Sequence, residues 1–244
     1  MVHINAGVAA LVAAIIIGKR KGFPDTAMPP HNLTMTVAGA AMLWVGWFGF
    51  NAGSALAANE SAAMAHVSHP SWGGLWLASL DVDGMEALWK AQRVGYCHRY
   101  CWAGLGTITP ASGFVGPLGA VIIGAAAGWV CFMATQTIKR VLKIDDSLDV
   151  FPVHGIGGML GTLMAVLGLL LDGMKTADLA SGKITLMSQF ATQFIGVVAT
   201  VAWCACMSFV IFKIIDVGIG LRVSEEEETQ GLDIVLHEET GYNL

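Results

Sequence analysis

Residues 33–58 read LTMTVAGAAMLWVGWFGFNAGSALAA, without a single Asp, Glu, Lys or Arg. A helix that crosses the hydrocarbon core of a bilayer needs about 20 consecutive apolar residues, so this run predicts a transmembrane helix. Further apolar runs lie at 2–18, 115–137, 151–171 and 186–215. The pattern predicts an all-α, polytopic membrane protein.

The composition of the whole chain agrees with this interpretation. Of 244 residues, 55% are hydrophobic and only 13% are charged, whereas soluble domains carry about 25% charged residues. The net charge of −5 excludes a basic nucleic-acid binder. Five cysteines without regular spacing do not form a disulfide framework, and no HExxH, GxSxG or P-loop pattern indicates an enzyme. We therefore expect no catalysis, cofactor or resident metal.

The basic residues predict the orientation of the chain. Lys19–Lys21 and Lys139–Lys143 follow apolar runs, and basic loops favour the cytoplasm. Two spans, 33–58 and 115–137, separate these clusters, and two more separate the second cluster from the acidic tail. We therefore expect a multi-pass plasma-membrane domain at 1–222 and a cytoplasmic C-terminal tail at 223–244.

The segment 66–102 differs from its neighbours. It holds four of the eight Trp and three of the seven His, and it contains no apolar run of membrane length. Cys97, His98 and Cys101 form only a weak metal signal, because no second ligand pair accompanies them. An amphipathic loop and an error in the reading frame are the alternatives.

Five stretches of sequence resemble the ammonium transporter (Amt) family of the Amt/Rh/Mep superfamily. They are VHINAG (2–7), AMLWVGWFGFNAGSALAANE (41–60), ITPASGFVGPLGA (108–120), DDSLDVFPVHGIGG (145–158) and GLRVSEEEETQG (220–231).

The resemblance implies a trimer of eleven-helix subunits, with two inverted halves of five helices and a last helix across the outside. In that scheme the chain corresponds to the C-terminal portion, which is the second inverted half-repeat plus the last helix, preceded by one chain end of the first half. We expect the first four helices to be missing and the chain alone not to conduct, because such a path runs between the halves. Where 66–102 stands the family has apolar helix, so two compensating frameshifts are one hypothesis and a lineage-specific insert is the other. The coding DNA distinguishes them.

Two histidines lie near the starts of apolar spans. A lone histidine in a membrane helix is most simply a structural one that bonds a carbonyl group, because buried ionisable groups need a partner or a pore. The resemblance instead implies that His3 and His154 are paired pore histidines, one from each half. A neutral imidazole can donate from one nitrogen and accept at the other, which suits guidance of a polar solute.

Aromatic residues crowd the span 33–58. By spacing alone they form a packing or lipid-facing stripe. The resemblance implies that Phe50 is a gate above the histidines and that Ser54, with Trp47 as a weaker candidate, belongs to an external ammonium-recruitment site. Aromatics that the family supplies from its first half have no counterpart here, so we expect this recruitment site to be incomplete.

The acidic tail and several polar residues allow simple structural interpretations. Four consecutive Glu predict a solvated, disordered tail, whereas the resemblance implies a tail that packs under the cytoplasmic face, contacts neighbouring subunits and answers to a PII-type signalling protein. Gly231 would be its turn residue. Ser147 or Asp149 is the expected cap of the span 151–171. Three cysteines are expected to be small core residues: Cys131, Cys204 and Cys206.

The function that the resemblance implies is transport of ammonium across the membrane, with neutral ammonia passing a hydrophobic twin-histidine pore. The alternative is an ammonium sensor that signals through its cytoplasmic tail. An appended signalling domain would favour the sensor, and a short tail favours the transporter.

Overall fold

The computed structural model describes residues 1–26, 28, 31–68, 113–166 and 184–241. Within these ranges every regular element is helical. The helices are α1 (Val2–Ile17), α2 (Leu33–Gly53), α3 (Glu60–Ser68), α4 (Pro117–Gln136), α5 (Gly157–Met164), α6 (Leu186–Gly218), α7 (Glu225–Gln230) and α8 (Leu232–His237). A π-helical turn, Thr137–Val141, extends α4, and another, Phe151–Ile156, leads into α5.

Three of the helical segments are long and apolar enough to cross a membrane: Thr34–Gly53, Pro117–Val141 and Leu186–Gly218. Helix α1 is equally apolar but has 16 residues. Large apolar side chains such as Trp129 and Trp203, each 69% exposed, face outward, as suits helices whose surroundings are lipid. The all-α, multi-pass prediction is confirmed. The end of the predicted span at 167–171 lies outside the described residues.

Helix α2 is shorter than the predicted span 33–58 and ends at Gly53. Its start is capped by Asn32, whose side chain accepts a hydrogen bond from Met35 N. Beyond its end, the side chain of Asn59 accepts from Ala62 N at 3.1 Å and begins α3. Residues 54–59 form turns and bends, so α2 ends inside a run that hydrophobicity alone presents as continuous.

Helix α1 lies between α6 and the Phe151–Met164 segment. On one side, Ile4 and Val8 are buried against Val197 and Cys204 of α6. On the other side, Gly7 meets Gly155 so closely that a Cβ added at Gly7 would lie 2.2 Å from Gly155 N. Glycine is required there because two backbones meet without room for a side chain.

The cysteine prediction holds for two of three residues. Cys131 and Cys204 are buried, and Cys204 Sγ donates to the carbonyl oxygen of Asn5 at 3.2 Å. Cys206 is exposed, so its assignment to the core is wrong. It is two positions from Cys204, and on a helix neighbours at that spacing point to different faces.

The two basic clusters lie at one end of the helices. Arg20 forms an ion pair with Asp145 at 2.7 Å, and Lys139 forms one with Asp149 at 2.6 Å. The carboxyl groups of one loop therefore bind a cation from each cluster, which agrees with the common side predicted from charge.

The predicted cap of the span 151–171 is wrong. Neither Ser147 nor Asp149 caps it; the carboxylate of Asp146 accepts hydrogen bonds from Val150 N and Phe151 N at 3.0 and 2.7 Å. Asp149 has φ +58° and pairs with Lys139 instead. The carboxylate of Asp146 can reach the free N–H groups of Val150 and Phe151 because the backbone turns back at Asp149, which has a positive φ.

Little of the anomalous segment 66–102 falls within the described part of the chain. Its first residues complete α3, and the ring of His66 lies 5.0 Å from that of Phe48. The remainder, including the weak metal candidates Cys97, His98 and Cys101, lies outside the described residues.

Candidate functional site

His3 and His154 meet where α1 and the Phe151–Ile156 turn cross. Their ring centroids are 5.3 Å apart and their planes are inclined by 26°, so the imidazoles stack. His3 is only 8% exposed. A Cβ added at Gly158 would lie 3.3 Å from His3 Cβ, so small residues let the two elements approach this closely. Residues separated by about 150 positions thus form one pair.

Helix α2 covers this pair with aromatic rings. The Trp47 ring centroid lies 5.6 Å from that of His3 and 6.5 Å from that of His154, nearly parallel to the latter at 10°. Phe50 meets His3 edge-on at 5.6 Å and Trp47 at 5.7 Å. Two imidazoles and two aromatic rings therefore share one cluster, of which Phe50 is 48% exposed.

Ser54 lies one helical turn beyond Phe50, just past the end of α2. Its hydroxyl group donates to the carbonyl oxygen of Phe50 at 2.7 Å and is exposed. Because the hydroxyl hydrogen is already engaged, the oxygen presents its lone pairs as an acceptor. Phe50 contacts His3 at the start of α1, whereas Lys19–Lys21 follow its end, so Ser54 lies near the end of α1 opposite to the basic cluster.

The cluster combines two polar imidazoles, those of His3 and His154, with the apolar rings of Trp47 and Phe50. Among the described residues, Nδ1 of His154 is buried and has no hydrogen-bond partner. A buried polar atom left without a partner costs about 1–3 kcal/mol, and this cost would be relieved by a small solute that donates or accepts there. In the described part of the chain, no group of three or more His, Cys, Asp or Glu could hold a metal ion.

The tail is held against the basic end of α1. Glu228 accepts from Lys21 N and from Arg222 Nη2, both at 2.8 Å. Lys21 Nζ also donates to Thr229 Oγ1, and Arg222 Nη1 donates to Ile17 O, each at 2.9 Å. The tail through Thr229 is thus structured and docked rather than freely solvated.

Gly231 links the two short tail helices. Its φ of +102° lies in a region that favours glycine, and a Cβ there would lie 2.7 Å from Asp233 Oδ1. Helix α7 has a capping box at Ser224 and Glu227, which orders the Glu run from its first residue. The turn role expected for Gly231 therefore has a geometric basis.

The structure brings four of the predicted site residues into one cluster: His3, His154, Phe50 and Trp47. Ser54 lies one turn away, and Gly231 lies in the tail at the other end. Sequence reasoning missed Arg20, Asp145 and Asp146, which join the elements that bear the histidines. The signal for the two aspartates was the acidic stretch DDSLD (145–149), whose last residue lies five positions before His154. Such a stretch is hard to interpret because acidic runs are common on protein surfaces.

Comparison with known proteins gives consistent matches. The model of the Ammonium Transporter Family matches residues 1–242. Ammonium transporter Amt1 of Archaeoglobus fulgidus is 42% identical over 99% of this chain and 60% of its own length. The ammonium transporter of Aquifex aeolicus is 41% identical over 100% of this chain and 56% of its own length.

Solved structures agree. A sensor Amt protein superposes with a TM-score of 0.81 at 31% identity, over 96% of this chain and 57% of that one. The crystal structure of Saccharomyces cerevisiae Mep2 has a TM-score of 0.74 at 32% identity, over 93% of this chain and 53% of that one. The chain spans little more than half the length of these relatives. The curated relatives are named as transporters rather than enzymes, and the chain belongs to the ammonium transporter family.

Proposed function

We propose that the protein takes part in ammonium transport, with His3 and His154 lining the path. The observation that carries this proposal is the stacked histidine pair under Trp47 and Phe50, with a buried imidazole nitrogen that lacks a partner in the described residues. Membership of the ammonium transporter family and the names of the curated relatives supply the substrate class.

The proposed mechanism begins at the end of α2. Ser54 accepts an N–H bond from ammonium, and the faces of Phe50 and Trp47 attract the cation by about 0.5–2 kcal/mol. Ammonium transfers a proton to a water molecule of the solvent outside the apolar path, Phe50 moves aside as the gate, and neutral ammonia passes between the imidazoles. Selection follows from desolvation, because a metal cation cannot become neutral by losing a proton and must leave its hydration shell at full cost.

The proposed orientation places the basic end and the tail in the cytoplasm. Residues 1–222 form the membrane domain of a plasma-membrane protein and residues 223–244 form its cytoplasmic tail. A homotrimer and a PII-type partner at the tail complete the proposal; family membership supports both, and the docked tail offers a surface for the partner. Light scattering of the detergent-solubilised protein tests the trimer, and a pull-down with PII tests the partner.

The central experiment measures uptake of methylammonium by cells that lack their own ammonium transporters. This chain replaces the matching region of the Archaeoglobus fulgidus transporter, so that the assay reports on its own histidines. We expect uptake by the chimera, its loss in His154→Ala and its retention in the matched control His31→Ala, whose side chain is exposed. Equal uptake by both variants would contradict a pore role for His154. A chimera without uptake whose tail becomes protease-sensitive only with ammonium would favour a sensor.

A further inference from the structure

The acidic dipeptide Asp145–Asp146 lies at the junction of the two histidine-bearing elements, and the proposed transport mechanism assigns it no part. Asp145 binds the loop after α1: it accepts hydrogen bonds from Arg20 N, Nε and Nη2 at 2.8, 2.8 and 2.7 Å. The side chain of Asp145 is fully buried, whereas that of Arg20 is 42% exposed. Asp145 therefore holds the loop after α1, the helix that bears His3, through both the backbone and the side chain of Arg20.

Asp146 holds the other element. It is 4% exposed, and its two carboxylate oxygens accept separately from Val150 N and Phe151 N. Those N–H groups stand at the start of the Phe151–Ile156 turn, in which His154 is the fourth residue. Charge-assisted bonds to free N–H groups at a helix start are among the stronger local restraints on where a helix begins.

Burial of two adjacent carboxyl groups carries an electrostatic cost that the fold offsets locally. Burial alone would raise the pKa of Asp145, but the hydrogen bonds from Arg20 outweigh it and leave that pKa below its usual value. Burial does raise the pKa of Asp146, although the bonds from Phe151 and Val150 oppose it. Lys139 approaches from α4 and pairs with Asp149. Neutral side chains at these two positions would avoid this desolvation cost, so the presence of two carboxyl groups with these partners points to a positional role.

We propose that Asp146 is a positioning residue for His154, and that the Arg20–Asp145 pair fixes the same junction to the helix that bears His3. Together they set how the two imidazoles face each other across the path. This inference rests on the proposed function, because positioning has meaning for transport only if the histidines line the path. Neither carboxyl group touches the solute; both act through the backbone.

The test substitutes Asp146→Asn, which preserves size but leaves one carbonyl oxygen for two N–H donors. The matched control is Asp216→Asn, which removes a charge from an exposed ion pair with Lys213. The full 244-residue chain, labelled with ¹⁵N at histidine only, is examined in lipid bilayers by solid-state NMR. The ring signals are assigned with His3→Ala and His154→Ala.

We expect Asp146→Asn to move the ring-nitrogen shifts of His154 well beyond any change in Asp216→Asn. In the chimera it should lower the maximal uptake rate about tenfold or more, the effect of a lost bond to a charged group, with KM little changed. Unmoved His154 signals would overturn the inference, even if the chimera transports. Moved His154 signals in the chain, together with an unsubstituted chimera that takes up no methylammonium, would instead sink the proposed function and leave the positioning intact.

Arg20→Lys keeps the test decisive if Asp146→Asn fails to fold. Arg20 is partly exposed, and lysine retains the charge but cannot make the two-nitrogen contact with Asp145. We expect smaller shifts of both His3 and His154 signals. Signals identical to those of the unsubstituted chain would show that the junction does not position the pair.

Discussion

Substitution of Gly7 by alanine tests the tight contact between α1 and the segment that bears His154. The added Cβ would lie 2.2 Å from Gly155 N, 2.4 Å from Gly155 Cα and 3.1 Å from the carbonyl carbon of His154. All three are backbone atoms of a helical element, so no side-chain rotation relieves the clash. Since ordinary contact begins near 3.4 Å, α1 must move away from the His154 segment by about 1.2 Å.

The expected cost follows from two opposing effects. Overpacking of a tight interface costs about 1–3 kcal/mol, and the rigid backbone on both sides places Gly7→Ala at the upper end. The better helix propensity of alanine returns up to about 1 kcal/mol. We therefore expect the free energy of unfolding to fall by about 1–2 kcal/mol, and the 5.3 Å separation of the histidine rings to widen.

Thermal unfolding in detergent measures this loss, with Gly218→Ala as the control. Gly218 is also helical, and no described atom lies within 4 Å of a Cβ added there. The control should unfold at the wild-type temperature or slightly above it, and Gly7→Ala several degrees below. Equal midpoints for the two variants would refute the argument that glycine at position 7 is required by the contact with Gly155.

The tail supplies three further predictions. Gly231→Asp places a side chain on a backbone with φ +102°, next to Asp233. We therefore expect α8 to become protease-sensitive. Uptake by all three subunits of the proposed trimer should fall together. Gly241→Asp is its control, and unchanged proteolysis, uptake and PII binding would contradict a coupled tail. The Lys21 N–H bond lowers the pKa of Glu228, aided by Arg222, so docking should be complete above the usual glutamate pKa of about 4.3 and be lost as pH falls through the lowered value. A fluorophore on the tail checks this by its polarisation between pH 7 and 3, where constant polarisation would count against the contact. Ser224→Ala removes the capping box of α7 at a cost of about 1 kcal/mol, and amide hydrogen exchange in that helix should accelerate, whereas unaltered exchange would show that docking alone orders it.

Much of the fold could be predicted because the bilayer imposes a simple rule on composition. Spans of sufficient length and apolarity stand out without any alignment, as α2, α4 and α6 show. Their ends were less predictable. The run 33–58 is continuous in hydrophobicity, yet α2 ends at Gly53 and residues 54–58 form turns and bends, because an apolar average conceals local turn geometry.

The candidate site divides in the same way. The residues His3, His154, Phe50, Ser54 and Trp47 could be selected through a family resemblance, since their types suit a polar solute in an apolar path. Their roles stay predictions. The predicted cap of the His154 element is wrong, because capping depends on where the backbone folds back and not on sequence distance alone.

Apolar length and charge are properties of the chain that need no partners, so they suffice to predict the class of protein: an all-α membrane protein with its basic loops on one side. Three contacts emerge only from the folded protein: Gly7 abuts Gly155, Trp47 covers both imidazoles, and Arg20 binds Asp145. These contacts join residues far apart in the chain, and each depends on small shifts between helices. Their geometry is set by close packing of whole elements, which no local pattern encodes.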